Sequence, residues 1–196
     1  MSARKLPTRR PIPAHGALLD DLLLVAGIAP LLQADLRAAP HHSLYATDAS
    51  PSGAGACVAQ VTPELWRVLY RIAEERGEHV RLDWGSTPPP PEFVSTHSSA
   101  AALITPAAWT VLFSYRFQRP NHINVLELVA LVSLLRRLAN KGVHRARILC
   151  CVDSRVVLGA VTKGRSSSRK LNHLLRKLAC ECLASSITVD LLWVAS

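Results

Sequence analysis

Two stretches in the second half of the chain repeat apolar residues at the spacing of an α-helix. Leucines recur every three or four residues over 124–139, and again over 169–184. This period places the leucines on one face, so both stretches are predicted to be helices that bury an apolar stripe. Three shorter helices are predicted over 18–24, 62–77 and 154–161.

Other stretches show the alternation or the continuous apolar character of β-strands. The near-continuous apolar run at 147–153 is typical of a strand buried on both faces, as in parallel pairing. The runs 44–49 and 54–61 flank a Ser-Pro-Ser-Gly turn, which predicts a β-hairpin. Two further strands are predicted over 108–118 and 187–194. The resulting order, β-β-insert-β-α-β-α-α-β, indicates an α/β fold with a mixed sheet covered by helices.

The pattern also suggests how the chain is divided. Residues 1–40 are basic at the start and then apolar, with several prolines, and are predicted to be a linker or connection segment. Residues 41–196 are predicted to form one domain with an insert at about 62–107. Four consecutive prolines at 88–91 indicate a surface loop within this insert.

Composition excludes several classes of protein. The chain is 49% hydrophobic and 19% charged over 196 residues, which excludes a disordered polymer. Its longest apolar stretch, 22–32, is shorter than the roughly 20 residues of a spanning helix, so no membrane association is expected. The five cysteines are odd in number and lack CxxC spacing. We therefore expect reduced thiols in an intracellular protein, cytoplasmic or nuclear.

The charge of the chain indicates the class of partner. The formal net charge is +9, which favours a polyanion, most often nucleic acid and sometimes an anionic membrane. A basic surface that serves only solubility is the alternative. The segment 155–180 contains no acidic residue. Its candidate nucleic-acid contacts are Lys163, Arg165, Ser166, Ser167, Arg169 and Lys170.

Three acidic residues stand where apolar residues would be expected. Asp48 lies near the end of the first strand, Glu127 on the most apolar helix, and Asp153 at the end of the buried strand. Singly, Asp48 has an ordinary interpretation as a turn former and Asp153 as a helix N-cap. Glu127 has one as the capping-box partner of Asn124. Two strand ends and a crossing helix would nevertheless bring three carboxylates together, and Mg²⁺ commonly neutralises such a group.

These residues lie within strings that resemble a known family. YATDASPSGAG, HINVLELVAL, VDSRVVLGAVTKGRSSS and LLWV occur in the order found in the ribonuclease H domain of retroelement reverse transcriptases. The resemblance covers about 44–196 apart from the insert. It implies a ribonuclease H-like five-stranded mixed sheet, with three antiparallel strands followed by parallel strands. It also implies hydrolysis of the RNA strand of RNA·DNA hybrids by two Mg²⁺ or Mn²⁺ ions.

In this family Asp48 would bridge both ions, and Glu127 and Asp153 would supply the other carboxylates. The family has a fourth acidic residue after the last strand, where this sequence reads Trp193-Val194-Ala195-Ser196. We therefore expect a C-terminally truncated domain in which the second metal binds weakly. An upstream reverse transcriptase domain is an implied partner.

Three other interpretations remain open at this stage. The chain could bind nucleic acid without cleaving it, because the fourth carboxylate is missing. It could be a related nuclease of the integrase or transposase type, for which Glu181 is the available late glutamate. It could also be a remnant with no retained activity.

Overall fold

The computed structural model describes residues 16–31, 37–73 and 100–194. The chain divides into two compact units, 1–33 and 34–196. In the first unit, helix α1 spans Ala17–Ile28, longer than the predicted 18–24, and a 3₁₀ turn follows at Ala29–Leu31. Within the described ranges, no helix combines the length and the apolar composition needed to cross a membrane.

The second unit contains the sheet and its helices. The described strands are β1 (Ala39–Ala49), β2 (Gly53–Gln60), β3 (Thr110–Arg116), β4 (Ala146–Val152) and β5 (Thr188–Trp193). The described helices are α2 (Pro63–Arg71), α3 (Ile123–Asn140), α4 (Arg155–Lys163) and α5 (Arg169–Ser185). Residues 100–104 are also helical.

The sheet has five strands in the order β3-β2-β1-β4-β5. β1 and β3 run antiparallel to β2, whereas β4 runs parallel to both β1 and β5. This is the mixed sheet that the family resemblance implies, so the predicted ribonuclease H-like fold class is confirmed by the strand order. The parallel pairing predicted for 147–153 is confirmed as well.

β4 is buried on both faces of the sheet. Ile148 and Cys150 belong to the apolar cluster shared with α3 and α5, and Leu149 and Cys151 belong to a second cluster on the opposite face. Burial raises the pKa of the Cys150 thiol to about 12, and it also raises the pKa of Cys151. Both remain neutral thiols that pack as small apolar side chains.

The predicted insert contributes to this second cluster. Thr62 caps α2 by accepting a hydrogen bond from Leu65 N at 3.2 Å. The fully buried Leu69 and the buried Trp66 then pack with Leu44 of β1. The described part of the insert is therefore core structure, while the four prolines at 88–91 lie outside the described residues.

The hairpin between β1 and β2 depends on a serine and on a glycine. Ser50 Oγ accepts hydrogen bonds from the backbone N–H groups of Ser52 (3.3 Å) and Gly53 (3.2 Å), which closes the predicted turn. Gly53 then lies against β3, where an added Cβ would meet the carbonyl oxygen of Tyr115 at 2.6 Å. Because backbone cannot move aside easily, this position requires glycine.

We expect Gly53→Ala to destabilise the domain by about 1–3 kcal/mol, because the new methyl group would push β2 from β3. Gly159→Ala is the matched control, since an added Cβ there meets nothing within 4 Å. In the interior of α4 this control is expected to be neutral or stabilising by up to about 1 kcal/mol. Urea denaturation measures both free energies of unfolding, and equal stability of the two variants would contradict the argument.

Candidate functional site

The topology places the three candidate carboxylates at one end of the sheet. Asp48 is the penultimate residue of β1, and Asp153 directly follows β4. Since β1 and β4 are parallel neighbours, their carboxyl ends lie at the same edge. Glu127 lies in the second turn of α3, a helix that packs against β1. The negative charges of Asp153 and Asp48 both act on Glu127 there.

Glu127 is the carboxylate under the strongest electrostatic constraint. Its Oε2 atom is buried and has no hydrogen-bond partner. Burial is the main factor that raises the pKa of Glu127, and the charges of Asp153 and Asp48 raise it further. A hydrogen bond from the side chain of Ser154 opposes the rise. A cation beside Glu127 would therefore relieve both the desolvation and the repulsion.

The ordinary structural interpretations of the three acids are wrong. Ser154, not Asp153, caps α4, because Ser154 Oγ accepts from Val157 N at 3.3 Å. His122 caps α3 by accepting from the Asn124 backbone N–H at 3.3 Å, so Glu127 lies beyond the capping-box position.

Asp48 does not form the hairpin turn either. Ser50 closes that turn, and Asp48 accepts only the adjacent Ala49 N–H, at 2.8 Å, among the contacts described for it. None of the three acids is thus explained by capping or by the turn.

The set fits a divalent cation in ligand type. Carboxylate oxygens are the ligands that Mg²⁺ prefers, and Glu127 Oε2 lacks a partner. The side chains do not, however, converge on one point. In residues 16–31, 37–73 and 100–194, no three His, Cys, Asp or Glu side chains are arranged to hold one metal ion. Asp48 itself is exposed, and its Oδ1 accepts from the Ala49 N–H.

Asp48 also lines an open groove on the face of β1, β2 and β3. The groove has a volume of about 620 Å³. Its floor is made of small residues, including Gly53, Gly55 and Cys57, and Arg116 of β3 is among its other lining residues. The groove therefore has a carboxylate and a basic side chain on one lining, which also includes the aromatic residues Phe113 and Tyr115.

The candidate nucleic-acid contacts lie in the loop between α4 and α5 and at the helix ends beside it. We call this segment, residues 163–170, the basic loop, and most of its candidate contacts are exposed. Lys163, Arg165, Ser167, Arg169 and Lys170 are exposed, as predicted for a basic surface. Ser166 differs from them.

The backbone of Ser166 is already engaged inside the protein. Its N–H donates to Asn172 Oδ1 at 2.7 Å, and its carbonyl accepts from Asn172 Nδ2 at 2.6 Å. Its backbone amide is thus unavailable to a phosphate. Asn172 fixes this loop, and no local sequence signal identified it.

A second loop lies beside this basic segment. Lys170 Nζ donates to Asn121 Oδ1 at 3.2 Å. Asn121 also accepts from the backbone N–H of His122, the residue that caps α3. The start of the helix that carries Glu127 is therefore in contact with the basic loop. No local sequence pattern predicts this contact, because it joins residues far apart in the chain.

Glu181 has a structural partner. Its Oε1 accepts from Arg136 Nε at 2.8 Å and lies 2.7 Å from Arg136 Nη2, which links α5 to α3. This two-point ion pair gives Glu181 a role in helix packing. The integrase or transposase interpretation, which depends on a late catalytic glutamate, is not supported by this arrangement.

Comparison with solved structures finds similarity to the N-terminal RNase H domain of rv2228c from Mycobacterium tuberculosis, solved as a fusion with maltose binding protein. The two chains are 15% identical, and the match covers 79% of this chain and 86% of that one with a TM-score of 0.39. A TM-score of this size does not establish a shared fold, so the fold class is assigned from the observed strand order. No protein-family model and no curated protein sequence matches the chain.

The raised pKa of Glu127 predicts a pH-dependent stability. Below its ordinary pKa of 4.5 the group is neutral in both folded and unfolded chains. Above that value the unfolded chain ionises first, so stability falls until the raised folded pKa is passed. Without divalent cations, Glu127→Gln should therefore melt at a higher temperature than the unmodified protein near about pH 7, with a smaller difference near about pH 4.

Asp153→Asn tests the same electrostatic argument from the other side. Removal of its charge should bring the pKa of Glu127 down and make the pH dependence shallower. Thermal unfolding followed by circular dichroism provides both comparisons. The quantity compared is the melting temperature of Glu127→Gln minus that of the unmodified protein. If this difference is smaller at about pH 7 than at about pH 4, the burial argument is contradicted.

Proposed function

We propose that the chain is a Mg²⁺-dependent nuclease domain of the retroelement ribonuclease H type, which hydrolyses the RNA strand of RNA·DNA hybrids. The observation that carries the proposal is the buried, unpartnered Oε2 of Glu127, under the charges of Asp153 and Asp48 at one sheet edge. A partly desolvated carboxyl of this kind is neutralised by a proton or by a cation, and its ionised form is stabilised by the cation. The strand order and the family resemblance of the surrounding strings favour this nuclease class.

Asp48, Glu127 and Asp153 would hold the metal. When bound, divalent ions activate the attacking water and stabilise the leaving oxygen of the phosphodiester. The Ser154 side chain lies beside Glu127 and favours the ionised form that a metal requires. Asp48, on the exposed end of β1, is the ligand that would move most easily toward substrate.

The basic loop would bind the phosphates of the hybrid beside this edge. Lys163, Arg165, Arg169 and Lys170 supply cations, and Ser167 supplies an exposed hydroxyl. The contact between Lys170 and Asn121 places this loop against the start of α3. A nucleic-acid strand whose phosphates were bound by this loop would pass close to the helix that carries Glu127.

Binding of nucleic acid without cleavage is the second candidate. It is favoured by the observation that the three carboxylates do not converge on one point among the described residues. The two functions share the basic loop and differ in whether metal draws the acids together.

The cleavage experiment uses a hybrid with a labelled RNA strand in Mg²⁺ or Mn²⁺. Asp48→Asn, Glu127→Gln and Asp153→Asn are each expected to reduce the cleavage rate by at least about 100-fold, because each removes a charge that holds the metal. Glu64→Gln is the matched control, since Glu64 is an exposed carboxylate on α2. It should cleave at the unmodified rate.

Binding of the hybrid is recorded in the same samples, with metal removed by EDTA. Binding without cleavage by the unmodified protein would replace the nuclease with the binding module. Failure of both binding and cleavage would refute the two candidates together.

The basic loop makes a separate prediction about salt. Each of Lys163→Gln, Arg165→Gln, Arg169→Gln and Lys170→Gln is expected to weaken hybrid binding and to lower the slope of log affinity against log salt by about 1. Lys141→Gln, at the opposite end of α3 from Glu127, is the control and should leave the slope unchanged. Fluorescence anisotropy at several salt concentrations measures the slopes. An equal effect of Lys141→Gln would show that binding follows net charge alone.

A further inference from the structure

The turn that carries Asp153 is held by the last residue of β5. Val152 pairs with Trp193 in the parallel ladder, and the Val194 N–H donates to the carbonyl of Val152 at 3.0 Å. The indole Nε1–H of Trp193 then donates to the next carbonyl, that of Asp153, at 2.8 Å. The hydrogen bonds between β4 and β5 thus continue one residue beyond β4 through a side chain.

The same indole ring is covered by a cation. The guanidinium carbon of Arg155 lies 4.1 Å from the centroid of the Trp193 ring. Arg155 is the first residue of α4, where the helix dipole disfavours a positive charge. The cation–π contact offsets this cost and fixes the side chain of Arg155 over the ring.

Ser154, which lies between Asp153 and Arg155 in the chain, contributes further contacts to this turn. Its hydroxyl caps α4, and the same side chain interacts with the carboxylate of Glu127 on α3. Three consecutive residues are therefore tied to three different elements: Asp153 to β5, Ser154 to α3 and α4, and Arg155 to the ring on β5. The turn cannot rotate without breaking at least one of these contacts.

We propose that Trp193, covered by Arg155, is a positioning residue: it holds the Asp153 turn, so that the Asp153 carboxylate stays near Glu127, where a bound metal ion would draw the two together. The inference rests on the proposed function and assigns a task to a residue outside the carboxylate set. Hydrogen-bonding partners of this kind fix the orientation of ligand-bearing segments in metal sites.

A purely apolar role for Trp193 is the competing explanation, because its ring also packs against the core cluster of α3 and α5. The two explanations separate at the N–H group. Trp193→Phe keeps an aromatic ring beside Arg155 and removes the donor to the Asp153 carbonyl together with part of the ring, so a control with the same loss of volume is needed.

The chain offers a matched control in Trp109. Its Nε1–H donates to the carbonyl of Ile104 at 3.1 Å, in the cluster on the other face of the sheet. Trp109→Phe therefore removes the same kind of hydrogen bond from a half-buried indole that lies away from the carboxylates.

The experiment measures Mn²⁺ binding by electron paramagnetic resonance of the free ion, without nucleic acid. Trp193→Phe is expected to weaken binding by about 10-fold or more, whereas Trp109→Phe should bind as the unmodified protein does. Arg155→Gln, which removes the cation from the ring, is expected to give a smaller loss in the same direction. Thermal unfolding in EDTA verifies that both tryptophan variants are folded at the temperature of the titration.

The outcomes separate this inference from the proposed function. If the unmodified protein binds Mn²⁺ and Glu127→Gln abolishes that binding, the metal site stands. Equal binding by Trp193→Phe and Trp109→Phe would then overturn the positioning role alone. If the unmodified protein binds no Mn²⁺ that depends on Glu127, the proposed function fails, and the positioning role fails with it.

Discussion

The parallel pairing of β1 with β4 is the contact on which the candidate site depends. Leu44 pairs with Leu149, and Ala46 with Cys151, at the dry centre of the sheet. A shift of one residue would turn every side chain of β4 to the opposite face and expose part of both apolar clusters. The register is therefore strongly determined by burial. Because it is fixed, the two strands end together, and Asp48 and Asp153 lie at the same edge.

The helix α3 holds Glu127 where burial and neighbouring negative charges disfavour its ionisation. His122 rather than Asn124 is the N-cap of α3, which places Glu127 in the second turn of the helix instead of at its solvated start. There it is partly desolvated and close enough to two other acids for their charges to matter. The fold thus holds in place a carboxylate whose ionisation it disfavours. Neither capping nor the hairpin turn accounts for such a group, and the proposed cation would relieve its cost.

Local patterns were sufficient for most of the secondary structure. The leucine stripe of α3 and the continuous apolar run of β4 each predict the type of element and its burial from a few neighbouring residues. The predicted strand at 44–49 is too short, because β1 begins at Ala39 and runs through Pro40 and two histidines, which carry no apolar alternation. The packing of Trp66 and Leu69 against β1 was not predictable, since nothing near them in sequence specifies the surface they meet.

The sequence was sufficient to group the three acids of the candidate site, but not to predict the contacts that surround them. Strand ends and a crossing helix sufficed to group Asp48, Glu127 and Asp153. The contacts that surround them join distant segments, as Lys170 does with Asn121 and Trp193 with the Asp153 carbonyl. Such contacts follow from the three-dimensional arrangement alone. The sequence likewise could not show that the backbone of Ser166 is already engaged by Asn172.

The burial of β4 has a practical consequence for thiol chemistry. Alkylating reagents attack the thiolate, so the buried Cys150, with its pKa near 12, and the buried Cys151 are protected in the folded chain. Cys180 on α5 is exposed, and Cys57 lines the groove that also contains Asp48. A maleimide label therefore distinguishes the interior of the sheet from its open face. Protection of Cys57 by a bound molecule would report occupancy of that groove directly, with Cys180 as the internal reference.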